Sequence, residues 1–149
     1  MSKIVIRKML ESDLTVVSEL AVLANPHFTK EKCAELILDE LKKNPDLSLV
    51  AVVGEKVVGY ALADVRNHEG VLEDIVVAKD YQRRGIGRRL LKKTLEALER
   101  RGAIIVLAEA HYKCASSIPF YYKHGFRITG FAQDFFGMGH DAIILKLVF

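Results

Sequence analysis

Apolar and polar positions alternate at the start of the chain and then change period. Lys3-Ile4-Val5-Ile6-Arg7 is β-branched with a period of two, which predicts a first strand. Leu14, Val17, Leu20, Ala21 and Ala24 then follow helical spacing, with Ser12 or Asp13 placed to cap the helix and Asn25-Pro26 to end it. A second helix, capped by Thr29, carries the stripe Cys33, Leu36, Ile37, Glu40 and Leu41 and closes at Asn44-Pro45. Ser48 to Val53, a turn at Gly54-Glu55-Lys56, and Val57 to Ala63 predict a hairpin. Val71 to Val77 predicts a further strand after a polar turn at Asn67-His68-Glu69-Gly70. From Gly87 to Arg101 the period is helical again, with Leu90, Leu91, Leu95 and Leu98 inward and Gly102 as the C-terminal cap. Ala103 to Ala108 is a short, wholly apolar run of the kind buried in a sheet. A short helix over Phe120 to His124, ending at Gly125, and two strands, Phe126 to Phe131 and Ala142 to Val148, complete the chain.

That order predicts an α/β protein: a mixed, mostly antiparallel central sheet flanked by helices, in a single domain over residues 1–149. Half the residues are hydrophobic and 28% are charged, which fits a globular class. No apolar run approaches the ~18 residues of a membrane span, and Met1-Ser2-Lys3-Ile4 lacks the apolar core of a signal peptide. The expectation is a cytoplasmic protein with no membrane partner, as a monomer or homodimer. Cys33 and Cys114 show no CxxC spacing, which argues against a disulfide framework and a structural zinc. Cys33 reads as a small buried hydrophobe. The five histidines lack metal-ligand spacing, and His111 and His140 read as rim residues.

Net charge is small, 22 − 19 = +3, too little to argue for nucleic acid. The excess collects between Arg83 and Arg101, where Glu96 and Glu99 are the only acids. Within that patch lies Tyr81-Gln82-Arg83-Arg84-Gly85-Ile86-Gly87-Arg88-Arg89-Leu90-Leu91. Gly85 and Gly87 let backbone amides approach a ligand without a Cβ in the way. Those amides open a helix whose N-terminus is partly positive, a phosphate site by construction. Arg83, Arg84, Arg88 and Arg89 add cations that grip phosphate oxygens. The spacing fits neither the GxxxxGK[ST] loop nor GxGxxG, since Leu90 occupies the third glycine position. A phosphorylated cofactor suits the loop at least as well as nucleic acid does.

Gln82-Arg83-Arg84-Gly85-Ile86-Gly87 resembles the Gln/Arg-x-x-Gly-x-Gly/Ala loop with which the GNAT superfamily of N-acetyltransferases wraps the pyrophosphate of acetyl-CoA. Phe120-Tyr121-Tyr122-Lys123-His124-Gly125-Phe126 resembles the family's Leu/Phe-Tyr-x-x-x-Gly-Phe signature. The resemblance implies acetyl-CoA as co-substrate, held by residues Gln82, Arg83, Arg84, Gly85, Ile86, Gly87 and Arg88, with the backbone of Ile75, Val76 and Val77 pairing the pantetheine arm. It also assigns cofactor contacts to Cys114, where the family often has Asn, and to Ser117. Pro119 falls where the family helix is usually continuous, so the helix should begin at Ser116 or Ser117.

Transfer to an amine needs a base for the ammonium proton and an acid for the departing thiolate. Glu109 and Tyr121, 121 − 109 = 12 residues apart, match the strand-end Glu and helix Tyr that serve as base and acid in the ribosomal-protein and other protein N-terminal acetyltransferases. Gly139-His140-Asp141-Ala142-Ile143-Ile144 also resembles that subgroup's tail. Glu73 and Asp74 compete as bases, and strict alternation would send them to opposite faces of the strand. Phe135-Phe136 reads as a wall of the acceptor cleft or as core, and with His140 it replaces the tyrosines and Glu of the peptide-acetylating subgroup. The resemblance favours a protein N-terminal amine as acceptor. A small-molecule amine (polyamine, amino acid or drug) and a non-catalytic acyl-CoA-binding module are the alternatives.

Overall fold

The middle of the chain sets the frame. In the computed structural model, which describes residues 3–25, 28–111 and 117–149, Asn67 and His68 both take positive φ, 50° and 65°. Positive φ at both central residues is the requirement of the tight two-residue hairpin turn. The turn is therefore shorter than the four residues expected, and Glu69 and Gly70 already belong to the returning strand.

Seven strands form one sheet: β1 (Ile4–Lys8), β2 (Ser48–Val53), β3 (Lys56–Arg66), β4 (Glu69–Val77), β5 (Ile105–His111), β6 (Arg127–Ala132) and β7 (Ala142–Val148). Their spatial order is β1-β2-β3-β4-β5-β7-β6. Every neighbouring pair is antiparallel except β4 and β5, in agreement with the mixed, mostly antiparallel sheet expected. The helices are α1 (Leu14–Ala24), α2 (Lys30–Lys43), α3 (Ile86–Arg100) and α4 (Ser117–Lys123).

Helix ends follow local chemistry. Thr29 caps α2 by accepting the Lys32 N–H at 3.1 Å. Asp13 does not cap α1: it accepts the Leu10 N–H at 2.8 Å and pairs with Arg7 at 2.8 Å, tying the helix entry to β1. α4 starts at Ser117, so Pro119 lies in the first turn, where its missing N–H costs nothing.

Two layers of helix bury the sheet. On one face Val17, Leu20, Cys33, Ile37 and Leu41 of α1 and α2 pack on Val50, Tyr60 and Leu62. On the other, Leu91 and Leu98 of α3 pack with Leu72, Val106, Phe126 and Leu145, while Ile86 and Leu90 cover Ala51, Val58 and Ala61. Cys33 is 4% exposed, the buried hydrophobe expected.

Two irregularities of β4 position the site. Its pairing with β5 runs only from Glu69/Ile105 to Leu72/Ala108, although β4 continues to Val77 and β5 to His111. The two strands thus part beyond Leu72, leaving a gap in the middle of the sheet. At the same place the β3 register jumps from Leu62/Asp74 to Ala63/Leu72, so Glu73 is the extra residue of a β-bulge.

Candidate active site

The donor side is built where β4 runs into α3. Gln82 Nε2 donates to the Val77 carbonyl at 3.0 Å, fastening the loop to the strand end. Arg83 and Gly85 both take left-handed φ, 62° and 82°, and Gly85 is the N-cap of α3. The first helical bond is Arg89 N–H to Gly85 O at 3.1 Å, so the amides just ahead of it are the unpaired donors of a helix start. Gly87 needs no special φ, and a Cβ added there would meet the Phe120 ring at an ordinary 3.5 Å. The fold itself therefore tolerates a side chain at 87, and glycine leaves that space to a ligand. A groove of about 480 Å³ lined by Arg88, Arg89, Lys92, Lys93 and Glu96 runs on along α3. Among the described residues none of Arg83, Arg84, Arg88 and Arg89 is in an ion pair, although Arg84 lies over the Tyr81 ring, 5.0 Å from its centroid. Open amides, free guanidinium groups and a vacant Cβ position fit a pyrophosphate.

Opposite them, on the α1/α2 face, a recess of about 320 Å³ is lined by Phe28, Cys33, Leu36, Glu40, Glu73, Asp74 and Phe136, among others. Glu73 and Asp74 share this recess, contrary to the alternation expected of them. The bulge is the physical reason: one extra residue cancels the flip, so consecutive side chains emerge on the same face. Tyr60, fully buried on β3, donates its hydroxyl to Asp74 Oδ2 at 2.6 Å. Burial nevertheless pushes the Asp74 carboxyl up to about 6, with the Tyr60 hydrogen bond pulling the other way. Burial and the Asp74 charge also raise the Cys33 thiol. Glu73 is exposed to solvent by surface area, yet it faces a concave, acidic wall crowded with protein atoms. Its carboxyl is pushed up to about 7, first by desolvation and then by the charges of Glu40, Glu109 and Asp64, against a smaller opposing pull from Arg66.

Glu109 lies inside β5, paired with Ile144 of β7, rather than at the strand end expected. Val106, Ala108 and Ala110 point into the α3 core, so alternation turns Glu109 and His111 to the α1/α2 face. His111 confirms that side: its ring lies 5.6 Å from that of Phe136 in the recess wall, and its Nε2 is 2.9 Å from Nδ1 of His140. Burial raises the Glu109 carboxyl, with the Glu69 charge adding to it and its own backbone N–H opposing. Tyr121 sits on the other face: its ring packs against those of Phe120 and Phe126, at 5.5 and 5.3 Å, beside the α3 core. The carboxylates and the phenol thus stand on opposite sides of the sheet, with the β4/β5 gap between them.

Of the residues picked out in the sequence, Gln82 to Arg88 form one turn, Ile75 to Val77 lie on the parted end of β4, and Ser117 starts α4. Cys114 lies outside the described residues. Phe136 is a wall of the recess, as expected, with Phe135 stacked edge-on against it at 4.9 Å. Among the described residues no group of three or more His, Cys, Asp or Glu is arranged to hold a metal. Tyr60 and Glu40 join the site from outside the sequence motifs. Glu40 had a visible signal, a carboxylate on the apolar stripe of its helix. Tyr60 had none, because a tyrosine in a buried strand is ordinary.

Comparison with known proteins agrees with this geometry. The profile of the Acetyltransferase (GNAT) family matches residues 14–126. The ribosomal protein bS18-alanine N-acetyltransferase of Salmonella typhimurium is 33% identical over 104 residues, 68% of this chain and 70% of that protein. Among solved structures, Ard1 from Thermoplasma volcanium superposes with a TM-score of 0.88 at 23% identity, covering 97% of both chains. The PaiA N-acetyltransferase from Thermoplasma acidophilum, solved in complex with coenzyme A, superposes with a TM-score of 0.78 at 22% identity, covering 99% of both. The profile spans more than half of the chain, and the parted strands, phosphate turn and flanking helices are in place: the chain belongs to the acetyltransferase (GNAT) family, acyltransferases whose co-substrate is acetyl-CoA.

Proposed function

We propose that the chain acetylates the α-amine of a protein N-terminus by direct transfer in a ternary complex, with Glu109 as base and Tyr121 as acid. The bound thioester supplies an activated acetyl group. The phosphate turn and the backbone of Ile75 to Val77 hold the donor on the α3 face. Glu109, on the opposite face, removes a proton from the acceptor ammonium, and a carboxyl raised by burial is better matched to that task near neutral pH than an ordinary one. As the amine nitrogen bonds to the acetyl carbon it sheds its second proton to solvent, the carbon–sulfur bond breaks, and Tyr121 gives its phenolic proton to sulfur and recovers one from solvent. The observation that carries this reading is the opposition across one gap: cations and open amides on one face, carboxylates on the other.

A second reading of the base rests on Glu73, whose carboxyl at about 7 is poised at neutral pH. A relative named above supports a protein acceptor, since it is a ribosomal protein bS18-alanine N-acetyltransferase. Incubation with acetyl-CoA and a panel of peptides differing in the first residue, read by mass spectrometry, tests the assignment. Acetyl on the α-amine of one subset is the expected result. Turnover of free amines with no peptide acetylated would assign the enzyme to small molecules.

A further inference from the structure

The acceptor recess gathers more carboxyl groups than one amine can answer. Glu40, Glu73 and Asp74 all line it, and its other described lining residues include no lysine or arginine. Glu109 adds a fourth carboxylate close enough for its charge to be felt at Glu73. The strongest sign lies at Glu40: its Oε2 is shut off from solvent and has no hydrogen-bond partner. A buried carboxylate oxygen is costly to leave unmatched, and native structures satisfy nearly all such atoms.

Asp64 shows what this fold does with a carboxylate that only holds structure together. It accepts from Lys43 Nζ at 2.8 Å, Asn44 Nδ2 at 2.9 Å, the Val65 N–H at 2.9 Å and Arg66 Nε at 3.0 Å. Nothing comparable surrounds Glu40. The amine to be acetylated cannot supply the missing charge throughout the reaction, because it must give up a proton before it attacks. A second cation on the same molecule keeps its charge from binding to product release.

We infer that the recess selects an acceptor carrying a second cationic nitrogen besides the one acetylated, and that the Glu40 carboxyl, turned so that its closed-off Oε2 faces the recess, is the contact for that second charge. Apolar walls at Phe28, Leu36, Ile37 and Phe136 would pack the methylene chain joining the two nitrogens. The inference rests on the reading that this recess holds the acceptor. The same chemistry comes from two sources, a free diamine or a peptide with lysine next to its N-terminus.

Two matched pairs test it: 1,4-diaminobutane against butylamine, and an N-terminal peptide with lysine at its second residue against the same peptide with norleucine. In the parent enzyme kcat/KM should favour the dicationic member of at least one pair by about tenfold or more, the scale of a charge-assisted hydrogen bond. The pair that discriminates identifies the source. Glu40→Gln, which keeps shape and removes charge, should bring that ratio down towards one. Equal rates within both pairs in the parent would overturn the inference while leaving acetyl transfer standing, and so would a preference untouched by Glu40→Gln. If no amine is acetylated, it is the proposed reaction that fails, and melting with CoA present then decides the recess. The diamine should raise the melting temperature where butylamine does not, and equal shifts would refute the inference.

Discussion

The two faces of this sheet gather ionisable groups of opposite kind. On the α3 face, Arg83, Arg84, Arg88 and Arg89 surround open amides. On the α1/α2 face, Glu40, Glu73 and Asp74 crowd one recess, and Glu109 faces the same side. Two other carboxylates are matched closely: Asp64 takes four donors, and Arg101 grips Asp46 at 2.8 Å. A buried charge left unmatched costs stability, and Glu40 Oε2 is shut off from solvent with no hydrogen-bond partner, so the recess is a place arranged for something absent from the chain itself. A polyanionic donor answers one face and a cationic acceptor the other. In the function proposed above, the gap between β4 and β5 is where they meet.

Removing the charge that acts in the reaction should have the largest effect. Glu109→Gln is expected to lower kcat/KM by on the order of 10²–10⁴, the usual range for general acid–base help, with acetyl-CoA affinity nearly unchanged because Glu109 lies on the other face. Should Glu73→Gln produce that loss instead, the base is the bulge carboxylate. The donor face offers a smaller effect. Tyr121→Phe keeps the ring packed between Phe120 and Phe126 and removes only the hydroxyl, so kcat should fall several-fold. Tyr122, half exposed beneath the Arg127 guanidinium, serves as the control, and Tyr122→Phe should turn over like the parent.

Stability sharpens the contrast between paired and unpaired carboxylates. Asp64, with four donors around it, is held down to about 2, so its contribution is present above its ordinary pKa and lost as pH falls through about 2. Asp64→Asn should therefore lower the melting temperature at neutral pH, by several degrees for a buried-network loss of about 1–3 kcal/mol. Glu73 runs the other way. With its carboxyl raised to about 7 from an ordinary 4.5, the folded state holds the proton longer than the unfolded one. Its contribution is present below about 4.5 and drains away as pH rises towards 7. Glu73→Gln should flatten the fall in melting temperature across that window. A steeper fall in the variant would mean that Glu73 is stabilised as a carboxylate.

The donor side was legible in the sequence because it is local. The single stretch from Tyr81 to Leu91 carries the turn, the cations and the helix start, and Gly85 has the left-handed φ that its residue type suggests. The alternating sheet, the Thr29 cap and the α4 start at Ser117 were legible for the same reason. The recess on the α1/α2 face is assembled from Ala21 to Phe136, and no short window holds it. Its decisive feature, the bulge at Glu73, depends on how β4 pairs with β3 and leaves no mark in the strand's own alternation, so Glu73 and Asp74 were expected on opposite faces. Glu40 was visible as an odd carboxylate on an apolar stripe, but its meaning appears only when the stripe meets β4.

The account stands or falls on whether the turn at Gly85-Ile86-Gly87 holds the donor. The measurement is the melting shift produced by acetyl-CoA in the parent and in Gly87→Val; alanine would say less, since the family loop admits it. A ligand at about 100 times its Kd adds about 2.7 kcal/mol, which for a chain of this size is a rise of roughly 5–10 °C. The parent should show that rise, and Gly87→Val should melt near the parent's unliganded temperature with the shift gone. An equal shift in both proteins would mean that the phosphates are held elsewhere and that the cations of α3 serve another purpose.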